Sequence, residues 1–420
     1  MAQITKRSVK DLPLLPKRPS HFDDQAWIAL WSGKHPLMRD WLGCVHTYSQ
    51  ADFHIVQDPR LTRQMATERL ALEGVTSGPV WAFFSDAMLF ANGPDHGANR
   101  GPVARSVAFP LMAALRPQIR SLANDLVCRH LGAPQTDFLT DIAGALPAHL
   151  IAQILGLPPA DIPHFTHLVY SAARALSIHP PDIAAQAAGD LAALDAYVAS
   201  LFQSRRSQPL DDFLTGYLHR TETGPLSEAE LRAQITLLIL AGSDTTRGAL
   251  AMTLAYLLQH PTQWALLCQD PEAHKAGAAA EGLRYDPIVA TLPRITITDL
   301  DLHGTHIPEG TLILSNLLSM LRDPKIYTNP DRFDITRTDH PKLHPVFGHG
   351  VHRCLGEALA RIELEEALAA IATLAPKTQL AGPAPTLRGL SAVRQISPMT
   401  VTLAYTRPPH FSDQITFLIG

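Results

Sequence analysis

A chain of 420 residues, 46% hydrophobic and 18% charged, has enough apolar material for a sizeable core. Its 35 Lys and Arg against 39 Asp and Glu give a net charge of -4, which excludes a generally basic nucleic-acid binder. Four cysteines, Cys44, Cys128, Cys268 and Cys354, stand far apart with no CxxC pair, which excludes a disulfide framework and a zinc cluster.

Length alone suggests two or three domains, yet no Ser/Gly-rich or charged linker divides the chain. A proline-rich, irregular segment 1–40 that wraps the surface, followed by a single domain over 41–420, is the expectation. Met1 to Arg7 carry no apolar signal core, so a cytoplasmic protein without membrane attachment is expected. The apolar run Ala233 to Leu258 could pass for a membrane span. Its middle holds Asp244, Thr245, Thr246 and Arg247, which would be costly in lipid, so it reads as a core helix with a polar centre.

In chain order, Trp41 to Thr47 has strand character and Tyr48 to Val56 reads as a helix, ended by Gln57-Asp58-Pro59-Arg60. Glu73 to Gly93 has no clear period, as expected of a functional lid. His96 and Arg100 follow, four apart on a helix running through Val107, so they share a face and can converge on one anion. Pro117 to about Phe202 is mostly helical, broken at prolines, with His164 to His179 within it. Leu226-Ser227-Glu228-Ala229-Glu230 resembles a capping box opening a long helix to Leu258. At its centre Gly242 allows a local kink, beside which Asp244 and Thr245 offer a carboxylate and a hydroxyl. The alternative there is a threonine bonded back to its own helix and an ion-paired aspartate. Glu281 and Arg284, three apart, can form a bidentate pair. Arg294 precedes alternating strand residues, and His306 to Thr311 looks like a hairpin turn.

Phe347 to Gly356 places one cysteine, Cys354, among three glycines, with a helix expected from Glu357 to Ala375. Glycines let the backbone come close to a flat ligand. Backbone N–H groups and the helix's positive end favour a thiolate, as an axial ligand of haem iron requires. The final strands include Leu387 to Arg394, and the tail after Thr406 carries no motif.

The pattern Phe-x-x-Gly-x-x-x-Cys-x-Gly resembles the cysteine-ligand loop of the cytochromes P450, the haem-thiolate monooxygenases. Ala241-Gly242-Ser243-Asp244-Thr245-Thr246 is similar to that family's oxygen-binding helix, and His96-x-x-x-Arg100 to its propionate-binding pair. The resemblance runs from about Trp41 to Tyr405. It implies a mainly α fold with a minor β region, one triangular haem domain, with haem b between the Asp244 helix and the Cys354 loop. Cys354 would then ligate the iron. Phe347, Gly348, Gly356, Ala241 and Gly242 would line the haem, and His96, Arg100, Arg294 and His352 would hold its propionates. Thr245 and Asp244 would be the catalytic hydroxyl and acid. Asn329-Pro330-Asp331-Arg332-Phe333 resembles the family's Pro-x-Arg-Phe, so Glu281, Arg284 and Arg332 would clamp the cysteine loop. By position Leu237, Leu240, Ala290, Thr291, Leu292, Ala392 and Val393 would line an apolar substrate pocket, with Arg394 and Gln395 as further polar contacts.

The activity so implied inserts one oxygen atom of O2 into an apolar organic substrate, by hydroxylation or epoxidation. Electrons would come from NAD(P)H through ferredoxin reductase and ferredoxin to a monomeric enzyme, with Arg353 and Arg105 as a docking patch for the acidic partner. A peroxide-driven peroxygenase and a non-catalytic haem sensor or carrier are the alternatives. The Asp244–Thr245 pair weighs against both.

Overall fold

The computed structural model describes residues 7–106, 109–176, 181–390 and 392–405. Helices carry most of these, and small sheets the rest. The helix Glu228–Gln259, 32 residues long, is the axis. It opens on the expected capping box: Ser227 Oγ accepts from the Glu230 N–H at 3.2 Å, and the Glu230 carboxylate accepts from the Ser227 N–H at 2.7 Å.

The two halves of this helix enter different cores. Leu231, Ile235, Ile239 and Leu240 pack with helices Ile162–Ala172 and Pro181–Ser207. Leu250, Leu254 and Leu257 pack with Arg116–His130 and Glu357–Leu374. Residues 241–247 between them belong to neither cluster, and Ala241 is exposed although Leu240 is fully buried. Ser243 and Thr246 of this stretch are buried, whereas Asp244 and Thr245 are half-buried, so one face of the helix centre opens at Ala241. That gap positions the site.

A five-stranded sheet has the order Leu37–Arg39, Val45–Thr47, Leu312–Asn316, Thr291–Thr296, Thr62–Gln64. Val45–Thr47 and Leu312–Asn316 run parallel, and the other pairs are antiparallel. Arg294 sits in the strand between Gln64 and Ile313, so the sheet register fixes its place.

Three expectations change. The described part of the segment before residue 41, residues 7–40, holds regular elements. Arg7–Ser8 pairs with Thr305–Ile307, Asp24–Ser32 is a helix capped by Asp23, and Leu37–Arg39 is a sheet edge. Leu12, Leu15, Trp27 and Ile28 are buried, and that burial outweighs the proline-rich composition. Within 73–93 lies the helix Pro79–Asp86, started by Pro79 after Gly78 at φ 90 and anchored by buried Phe83. The hairpin turn is His303-Gly304, at φ 49 and 72, joining Leu300–Leu302 to Thr305–Ile307. Two positive φ values suit the twist of a two-residue hairpin, which the 306–311 stretch does not supply. His179 and the tail after Thr406 lie outside the described residues. Among those described, no helix is long and apolar enough to cross a membrane.

Gly277, on helix Pro271–Tyr285, marks a close approach: a Cβ there would lie 2.0 Å from the Ile335 carbonyl oxygen. Gly277→Ala is expected to cost about 1–3 kcal/mol or more in urea unfolding, because backbone must move. Gly33→Ala, whose Cβ meets nothing within 4 Å, should stay within about 0.5 kcal/mol. Equal midpoints for the two variants would contradict the packing.

Candidate functional site

The Cys354 loop is shaped by Gly348 and Gly350, at φ 75 and 64, conformations that side chains disfavour. The Cys354 N–H donates to the Phe347 carbonyl at 2.8 Å and closes the loop. A Cβ on Gly356 would come within 3.9 Å of the Cys354 Sγ, so glycine leaves the sulfur uncovered there. Helix Glu357–Leu374 begins at the next residue.

The sequence leads one to expect a lowered thiol pKa. The structure reverses this: burial pushes the Cys354 thiol up, and the Gly356 N–H and the Arg100 and Arg353 charges offset only part of it. Cys354 still keeps an exposed face, so the burial comes from crowding neighbours rather than from lost access. A cation set against that face would restore the thiolate. Arg353 is no free docking charge. It donates to the Gly348 carbonyl at 2.8 Å and pairs with Glu357 at 2.6 Å, tying the loop to the helix that follows.

Beside the loop four basic groups converge from three elements. His96 and Arg100 come from helix Gly93–Ser106, Arg294 from the sheet and His352 from the loop itself. The His96 and His352 rings lie 4.0 Å apart between centroids, and Arg100 donates to the Arg353 carbonyl at 2.5 Å. Arg294 is held by the side-chain oxygens of Gln57 and Gln64, at 2.9 and 2.5 Å. Burial, then the neighbouring Arg294, His96 and Arg100, pushes His352 down to about 3, and His96 is lowered in the same way. Burial lowers Arg294 to about 10. No carboxylate among the described residues contributes to these shifts, and the buried Nε2 of His96 has no partner. Such a cluster suits an anion, and the two propionates of a haem would fit it. No three His, Cys, Asp or Glu side chains among the described residues form a ligand set, so a metal at Cys354 must bring its other ligands with it, as a porphyrin does. The residues fit haem.

Across the gap, the Thr245 hydroxyl donates to the Ala241 carbonyl at 2.8 Å. Its lone pairs are left as acceptors toward the gap. Asp244 pairs with Arg247 at 2.5 Å, and Arg247 lies 4.2 Å over the Tyr170 ring. This is the back-bonded, ion-paired alternative left open in the sequence. Arg247, three residues beyond Asp244, was the signal for it.

The buried Glu281–Arg284 pair is bidentate, at 2.6 and 2.8 Å, with both side chains fully buried. Its third member is Arg337, not Arg332. Arg337 lies 3.4 Å from Glu281 and is 5% exposed, whereas the Arg332 side chain is 65% exposed and faces Asp334. From Phe333 onward burial alternates, with Phe333, Ile335 and Arg337 inward and Arg332 outward. Arg332 contributes its carbonyl, which accepts from Arg284 at 3.2 Å and from Arg337 at 3.1 Å.

Several pocket expectations also move. Leu237 and Leu240 are packed in the core, and fully buried Ala290 packs with Trp27, Ile28 and Met38. Those side chains fill the walls behind the gap. Val393 bridges to Val289 and the Ala392 carbonyl accepts from the Ala290 N–H at 2.8 Å, so that turn is pinned to the neighbouring chain. Arg394 is buried against Asp286 and Asp24 and offers no substrate contact, and Gln395 is an exposed strand residue. Leu292 does approach the loop: its Cδ1 would lie 3.9 Å from a Cβ on Gly348. Thr291 is buried, its hydroxyl without a partner.

A sequence profile of the cytochrome P450 family matches residues 167–270 and 278–373. The plant-inducible cytochrome P450-pinF1 of Rhizobium radiobacter is 39% identical over 90% of this chain and 89% of its own. Luteothin monooxygenase of Streptomyces thioluteus is 31% identical over 90% of this chain and 93% of its own. The crystal structure of the myxobacterial cytochrome P450 CYP267B1 in complex with myristic acid superposes with a TM-score of 0.81 at 29% identity, covering 91% and 96% of the two chains. The chain belongs to the cytochrome P450 family of haem b monooxygenases.

Two outcomes test this arrangement. Arg337→Ala should cost about 1–3 kcal/mol and reduce haem retention, because it removes a secondary partner of the buried Glu281–Arg284 pair and its own bonds to the Arg332 and Thr328 carbonyls. Arg332→Ala keeps the carbonyl and should change little, so the reverse ranking would contradict the cluster. Glu363, fully enclosed on helix Glu357–Leu374, has its carboxyl raised to about 8 by burial, partly offset by a Thr246 hydrogen bond. The unfolded chain releases that proton near its ordinary value of about 4.3, so between about 4.3 and 8 the folded state holds the extra proton. Stability from this group is therefore full at low pH and lost as pH rises through about 8. Glu363→Gln should flatten that slope in urea midpoints taken from pH 5 to 9, and an unchanged slope would contradict a buried neutral acid.

Proposed function

We propose that the enzyme inserts one oxygen atom of O2 into an apolar organic substrate held in the gap beside Ala241 and Thr245, with Cys354 as the thiolate ligand of its haem. Haem, when bound, would supply the oxygen chemistry, and Cys354 would hold it through its thiolate. His96, Arg100, Arg294 and His352 orient the group through its carboxylates. Thr245, its proton directed to Ala241, accepts a hydrogen bond from a protonated group in the gap. Asp244, one residue away, passes protons inward when Arg247 releases it. The observation that carries this reading is that the acid and the hydroxyl are half-buried on the helix beside exposed Ala241, with Thr245 bonded to the Ala241 carbonyl. A relative that binds myristic acid supports a long apolar substrate.

The same reading makes the protein a cytoplasmic monomer that draws electrons from NAD(P)H through ferredoxin reductase and ferredoxin. Arg353 is committed to Glu357, so an acidic ferredoxin must dock mainly through other cations.

The test uses surrogate ferredoxin and reductase with a compound that perturbs the visible spectrum on binding, myristic acid first. Thr245→Ala should keep NADPH oxidation within a few-fold while product per NADPH falls at least about fivefold and peroxide rises. Asp244→Asn should slow turnover about 10²-fold, within the range of a lost general acid. Unchanged coupling in Thr245→Ala would remove the role given to its hydroxyl. Full turnover with peroxide alone, indifferent to both variants, would favour the peroxygenase.

A further inference from the structure

Two histidines that the haem site does not use meet where a helix packs against the cysteine loop. His54 lies on helix Gln50–Val56, and His349 stands between Gly348 and Gly350, both at positive φ. Their ring centroids are 4.8 Å apart with the planes crossed at 74°. Phe53 flanks both, 5.7 Å from His54 and 6.3 Å from His349. Beyond these ring contacts, neither imidazole has a hydrogen bond or ion pair among the described residues. The backbones that carry them are also close: a Cβ on Gly350 would lie 3.8 Å from the carbonyl oxygen of Gln57, which caps the His54 helix. His54 is exposed and His349 half-buried, so a dissolved ion can reach the pair.

We propose that His54 and His349 form a two-imidazole site for a divalent transition metal such as Zn²⁺ or Cu²⁺, separate from the haem iron. Imidazole suits these ions, whereas Mg²⁺ and Ca²⁺ prefer oxygen donors. Metal–nitrogen bonds of about 2.0–2.1 Å hold two imidazoles on one ion with centroids roughly 5 Å apart, near the observed spacing. Exposed His54 has room to turn its ring toward a shared ion. The metal takes neutral imidazole, and burial, then the charge of His349, lowers His54 toward that form. No third His, Cys, Asp or Glu joins the pair among the described residues, so water completes the coordination. The ion joins helix Gln50–Val56 to the loop that presents Cys354. Because the two ligands are far apart in sequence, it binds the folded chain and stabilises it. The site requires no particular reaction at the haem.

The test is calorimetric titration of the haem-loaded enzyme with Zn²⁺, with electron paramagnetic resonance of added Cu²⁺ to read the ligands. Saturable one-site binding is expected, with coupling to two imidazole nitrogens and a thermal midpoint raised by Zn²⁺ but not by Mg²⁺. His54→Gln and His349→Gln should each weaken Zn²⁺ at least about tenfold, because attachment at two points becomes attachment at one. His303→Gln, which removes a histidine already paired with Asp52, should leave binding unchanged. The haem spectrum confirms each variant's fold, and His54→Gln leaves the cysteine loop itself intact. No saturable binding of Zn²⁺ or Cu²⁺, or binding that His54→Gln leaves unchanged, would overturn the site.

Discussion

A thiol crowded by protein holds a negative charge more readily when positive charge is brought to it, and this constraint organises the site. Burial raises Cys354 beyond what the Gly356 N–H and two nearby arginines offset. The loop leaves one face of the residue open, where a metal cation would favour the thiolate. The four basic groups alongside have the opposite deficit: they are buried without carboxylates, and His352 is driven to about 3. Haem would satisfy both deficits at once, with iron for the sulfur and propionates for the bases. Holding it should make the cofactor part of the fold's own stability, since a ligand that binds only the folded state stabilises it.

The scaffold turns that requirement into a place. The long helix is shared by two cores, and its centre, open at Ala241, is held at both ends by packed apolar side chains. The Glu281–Arg284–Arg337 cluster fixes the segment around residues 330–337 through backbone carbonyls of Leu321, Pro330 and Arg332. Removing water from such an ion pair is costly, and its bidentate geometry and extra hydrogen bonds provide the compensation. Rigid walls around a small polar interval suit a reaction that needs positioned protons.

Much of this was legible in sequence, for identifiable reasons. Local signals did well: the Ser227–Glu230 capping box, the helix after Cys354 and the basic pair on one helix face each rest on spacings of three or four residues. Pattern matching without geometry went astray at Arg332, where strict alternation of burial turns Arg337 inward instead. Alternation read from Phe333 and Ile335 would have found it. Ala290 and Leu240 were assigned to the substrate pocket by position, but facing direction depends on tertiary packing that no local period encodes. The Cys354 thiol failed as an expectation because desolvation is a property of the assembled loop, whereas the N–H donors that oppose it can be inferred from glycines. Glu363 was invisible for the same reason: nothing local distinguishes a buried neutral acid from a solvated one on an Ala/Leu-rich helix.

The most direct test of the central claim is the absorption spectrum of the reduced, carbon-monoxide-treated protein beside that of Cys354→His. A strongly red-shifted Soret band in the parent, lost in the variant while haem is retained, is the expected result. A band typical of histidine ligation in both proteins, or no bound haem in the parent, would contradict the placement of the iron at Cys354.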